Sequence, residues 1–130
     1  MTFDEMIASI SLRPGMWVGT GRLRDVAIFI EGYCSGLASI AGESPLAGWR
    51  DWIETRYLIS HPAWHWTSIL RHIYGSDSAA LAALPDLFAQ YKSETKGCSP
   101  DLLAERHQQA FLRAYGVGFH SPGDPPVPES

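Results

Sequence analysis

The chain has no asparagine, only two cysteines, and no apolar run approaching the roughly 20 residues a membrane-spanning helix needs. Cys34 and Cys98 lie far apart and form no CxxC pair, which argues against a disulfide scaffold or a zinc knuckle and for two reduced thiols. An excess of base is also missing. Lys and Arg number 10 against 14 Asp and Glu, a formal charge of −4, so nonspecific nucleic-acid binding lacks its basic footprint. A charged partner is expected to be basic. Gly-x-Ser-x-Gly, P-loop and paired-cysteine motifs are absent. Met1 to Glu5 is acidic and shows no secretory-signal pattern, so a soluble cytoplasmic protein without membrane contact is expected.

What the 130 residues do contain is enough apolar surface, 45% of the composition with 18% charged, for one globular domain. Thr2 and Glu5 form a capping box, and Phe3, Met6, Ile7 and Ile10 recur at helical spacing, which predicts a short first helix ending near Ser11. Arg13-Pro14-Gly15-Met16-Trp17-Val18-Gly19 reads as a chain reversal: Pro14 fixes φ, Gly15 supplies a positive φ, and the apolar tip docks on a core, with Met16 to Val18 as a short extended piece. Replacing Gly15 by Val or Trp17 by Ala is accordingly expected to rank among the most damaging changes.

Leu23, Val26, Ala27, Ile30, Cys34, Leu37 and Ala41 then make a long helical stripe, widened by Phe29 and Tyr33. Gly32 and Gly36 interrupt it at about 1 kcal/mol each relative to alanine, so a close approach by another backbone or a large ring is expected there. Ser44 and Pro45 predict the start of a third helix running to about Leu58, with Trp49, Trp52, Ile53 and Tyr57 inward and Arg50, Asp51 and Glu54 largely outward. Trp64 to Tyr74 predicts a fourth helix. A fifth is capped by Ser76 or Asp77 and kinked or split at Pro85, and a last one follows Ser99-Pro100. The fold class is all-α: a compact bundle of about five to six helices over residues 1–115, followed by a flexible Pro/Gly-rich tail over 116–130.

Five tryptophans suit a core, with Trp66 assigned to an exposed partner-binding patch beside Glu43, Asp51 and Glu54. His61 and His65 stand four apart without a third ligand, so no metal, cofactor or catalytic set is assigned. Thr20-Gly21-Arg22 is taken as a plain helix cap rather than an anion site. Arg13, Pro14, Gly15, Trp17, Gly19, Gly32, Tyr33 and Trp52 are assigned to the turn and the core.

Three resemblances add to this. Arg56 and His61 match the arginine and histidine spacing of HEPN ribonucleases, in which the pair would act on a scissile phosphate; Tyr57 departs from the small polar residue favoured there. Arg13 to Gly19 also resembles the RPGMYIG segment of gyrase B-type ATPases, but the helical asparagine and the Asp-x-Gly-x-Gly adenine pocket are missing. Over about residues 2–92, the Arg13–Gly19 segment, Phe29-Ile30-Glu31-Gly32-Tyr33, Trp49-Arg50-Asp51-Trp52-Ile53 and Trp64 to Leu70 resemble a group of small bacterial proteins associated with polymorphic-toxin immunity genes, which usually carry Tyr in place of Trp17. That resemblance implies a stoichiometric inhibitor of a cognate, basic toxin domain. A homo-oligomeric structural or regulatory module and a HEPN-like ribonuclease are the alternatives.

Overall fold

In the computed structural model, residues 2–61 and 63–115 are described. They form seven helices and no strand: α1 (Phe3–Leu12), α2 (Pro14–Val18), α3 (Leu23–Ala41), α4 (Trp49–Tyr57), α5 (Trp66–Tyr74), α6 (Asp77–Glu94) and α7 (Pro100–Tyr115). The all-α expectation holds, with one helix more than anticipated. The tail expected from Gly116 lies outside the described residues.

Three helix starts follow their sequence signals. The backbone N–H of Glu5 donates to Thr2 Oγ1 at 3.1 Å, that of Ala79 to Ser76 Oγ at 3.1 Å, and that of Leu102 to Ser99 Oγ at 3.2 Å. Each side chain satisfies a donor that the first turn leaves without an intrahelical partner. Thr20 is not the cap of α3: its hydroxyl donates to Asp25 Oδ2 and accepts from the Arg22 N–H, which precedes the helix, while the first helical N–H, that of Leu23, donates to Asp77 Oδ2 at 3.3 Å.

The Arg13–Gly19 segment is a helical turn rather than an extended tip. Pro14 opens α2 at its first position, and the left-handed residue is Gly19, with φ 79°, not Gly15. Gly15 is exposed, and among the described residues nothing would touch a Cβ built on it. Met16 points to solvent, whereas Trp17 is half-buried, its Nε1 donating to Ser9 Oγ at 3.1 Å and its ring edge-on to Phe29 at 5.6 Å.

α3 packs on α1, α2, α5 and α6, and α6 in turn receives α1 and α5. The inward row of α3 is Leu23, Val26, Ala27, Ile30 and Cys34. Tyr33 is exposed and stacks on Phe3 at the bundle edge, with ring centroids 6.2 Å apart. Gly32 and Gly36 face open space among the described residues, so no backbone or ring there accounts for them. α6 passes through Pro85 as one helix, packed against α1, α3 and α5, rather than splitting there.

The core centres on Trp49. Phe88 and Trp52 stack with it at 4.2 and 5.6 Å, while Trp66 and Tyr91 lie nearly perpendicular to it at 5.6 and 5.3 Å. Burying such rings contributes roughly 2–3 kcal/mol each by area, before their mutual geometry is counted. α4 begins at Trp49 rather than Pro45, because Gly48 adopts φ 79° and Leu103 of α7 packs into the space a Cβ there would need. Ser44 instead closes a turn, accepting from the Leu46 N–H at 3.1 Å.

Candidate functional site

The acidic face expected on α4 is not formed. Glu54 is 3% exposed and lies under α7, where His107 donates through Nε2 to its Oε2 at 2.8 Å and Arg50 through Nε to its Oε1 at 2.9 Å. Burial pushes the Glu54 carboxyl up, but hydrogen bonds from His107, Arg50 and Ser60 outweigh it and hold the group below its ordinary value. Arg50 further anchors the loop before α5, donating to the carbonyls of His61 and Trp64 at 3.3 and 2.8 Å. Glu54 is therefore a structural centre linking α4, α7 and that loop. Asp51 is half-buried on α4, and Glu43 is exposed in the connection after α3. The three acids share no surface.

Trp66 is buried, not exposed. α5 starts at Trp66, with His65 as its cap, so Trp66 falls on the buried row with Ile69 and Leu70 and is 3% exposed. Its Nε1 donates to Glu31 Oε1 at 2.9 Å. The half-buried member of the pair is Trp64, between the rings of His61 and His72 at 5.3 and 5.6 Å. His65 lies 2.5 Å from Glu31 through Nε2, while its Nδ1 accepts from the Thr67 N–H at 3.3 Å. His61 and His65 thus do not share a helix face, and among the described residues no group of three or more His, Cys, Asp or Glu is arranged to hold a metal ion.

Arg56 and His61 are engaged with different rings. The Arg56 guanidinium lies over Trp52 at 5.5 Å and Tyr57 at 5.7 Å; the His61 ring stacks on Trp64 and its Nδ1 accepts from the Ala63 N–H at 3.1 Å. Among the described residues no hydrogen bond joins the two. Cys34 is buried in the core face of α3, and burial pushes its thiol up to about 11, the opposite of what a nucleophile requires.

A recess of about 920 Å³ opens between the start of α1, the connection after α3, the second half of α6 and the turn before α7. Phe88, Tyr91 and Leu103 floor it, and Asp4, Glu43 and Lys92 stand around it. Lys92 is paired with Asp4 at 2.8 Å, which ties α6 to α1 across the opening. Tyr91 donates through its hydroxyl to the Ala47 carbonyl and holds the connection in place, and burial pushes that phenol up to about 12. An apolar floor with a few fixed polar groups is the general form of a binding recess. Among the assigned partner-binding residues, Glu43 is the one that reaches it.

His107 was not assigned from the sequence. It sits between Leu103 and Phe111 at four-residue steps, on the buried row of α7, and a histidine on such a row calls for a buried partner. No protein-family model, no curated protein and no solved structure matches the chain.

Proposed function

We propose that the chain is a non-enzymatic protein-binding module of the immunity type, which binds and neutralises a cognate bacterial toxin. The observation that carries this reading is the 920 Å³ recess floored by Phe88 and Tyr91, open beside the Glu43 carboxylate. Such a floor takes an apolar or aromatic side chain of a partner, while a rim charge orients the approach and sets specificity more than affinity. The net charge of −4 favours a basic partner at long range. The commitment of titratable groups supports a binding role: Glu54 and His107 hold two helices together, Glu31 and His65 order the start of α5, and Cys34 is enclosed.

Ala89 lines the recess and is exposed, so a larger side chain there blocks the opening without disturbing the core. The purified chain is expected to suppress the activity of its toxin at a one-to-one ratio, and Ala89→Trp to abolish that suppression with its unfolding midpoint unchanged. Full inhibition by Ala89→Trp would remove the recess from the interface. Failure of the wild-type chain to inhibit any toxin that co-purifies with it would refute the immunity reading itself.

A further inference from the structure

Gly32 and Gly36 weaken the interior of α3, yet among the described residues nothing approaches the position of a Cβ on either of them. They belong to a row at four-residue steps, Ile28, Gly32, Gly36 and Ile40, on the side of α3 opposite its buried row. Ile28 is 60% exposed and Ile40 87%, unusual for isoleucines one and two turns from a packed core. The row reads the same in both directions about residue 34.

We propose that this face of α3 is the seam of a homodimer, in which two copies of the chain cross antiparallel over Gly32 and Gly36. A two-fold interface must be complementary to itself. An antiparallel crossing centred on residue 34 sets Ile28 of one copy against Ile40 of the other, and glycine against glycine where the axes are closest. The missing Cβ atoms permit that approach, which gives the two glycines a packing reason that the described residues of one chain do not supply.

Charge selects the same occupant and direction. Arg24 continues the row one turn before Ile28, and Glu43 follows the end of α3; both are exposed, and among the described residues neither makes an ion pair within the chain. Antiparallel copies bring Arg24 of each toward Glu43 of the other, at both ends of the seam. A parallel pair would oppose like charges instead.

The test is sedimentation equilibrium of the full chain, with a dimer expected. Gly36→Leu and Ile40→Glu, both on open surface, are each expected to weaken the dimer at least tenfold, about the effect of losing one well-packed contact, without lowering helicity. Arg24→Glu and Glu43→Arg are each expected to weaken it, and the two together to restore it. Oxidising a mixture of Ile28→Cys and Ile40→Cys chains should link residue 28 of one copy to residue 40 of the other. A monomer at every concentration, a dimer indifferent to both seam substitutions, or a link between two residues 28 would overturn the proposal. It does not rest on the recess: Glu43 lines the recess and enters the seam only through the proposed pairing, so the recess is tested through Ala89 and the seam through Gly36 and Ile40, and either can fail alone.

Discussion

His107 Nε2 lies 2.8 Å from Glu54 Oε2, and the two side chains, 3% and 4% exposed, are sealed between α4 and α7. Removing one partner of a buried pair that contains a carboxylate leaves the other without compensation, typically at about 3–5 kcal/mol. Glu54 keeps Arg50 in that event, so His107→Ala is expected to cost about 3 kcal/mol, at the lower end of that range. Glu54→Ala should cost as much or more, because it strips both His107 and Arg50. The double variant should cost less than the sum, and urea unfolding of the four chains measures the difference. Additive losses would show that the pair is not coupled.

The same carboxylate sets an acid limit. Because the folded chain holds Glu54 below its ordinary value of 4.5, the unfolded chain binds more protons across the interval between the two values. The stabilisation is complete above the unfolded value and is lost as pH falls through the folded one. Thermal unfolding midpoints are therefore expected to drop below about pH 4.5 in the wild-type chain. They should change less steeply in Glu54→Gln, which has no proton to take up. Parallel slopes would place the acid sensitivity in other carboxylates.

Two glycines of one motif are expected to behave oppositely. Gly19 has φ 79°, a conformation in which a β-branched side chain is strained, so Gly19→Val should destabilise by about 1–2 kcal/mol. Gly15 sits inside α2 with open space around it, and Gly15→Val should change stability by no more than about 0.5 kcal/mol. Equal losses at the two positions in chemical denaturation would mean that α2 is held by contacts to Gly15 itself.

The helices were legible wherever local chemistry decides them. The apolar stripes of α1 and α3, and the hydroxyl caps at Thr2, Ser76 and Ser99, need nothing beyond a few neighbouring residues. What escaped depends on distant ones. Glu54 has the sequence surroundings of an exposed helical acid; its most distant partner in the chain, a histidine 53 residues later, is one that local spacing does not reveal. Whether Trp64 or Trp66 is buried follows from where α5 begins, and that start is fixed by His65, a residue rarely expected to cap. The recess joins α1, α6 and two connections far apart in the chain, so composition and spacing could indicate Glu43 but not Phe88 or Tyr91 beneath it.

The junction of α4 and α7 offers a test of that tertiary control at a single point. Gly48 combines φ 79° with direct packing by Leu103, so a Cβ at residue 48 meets both backbone strain and the Leu103 side chain. Gly48→Ala is expected to cost about 2–3 kcal/mol, the sum of roughly 1–2 for the left-handed backbone and about 1 or more for overpacking. Leu103→Ala alone leaves a cavity at about 2–4 kcal/mol, but it also clears the space that the new methyl enters. Gly48→Ala in the Leu103→Ala background should therefore cost only the backbone part. The shortfall from additivity in a denaturation cycle measures how firmly α7 is seated on the start of α4, and a cost unchanged by the second substitution would place the penalty wholly in the backbone of Gly48.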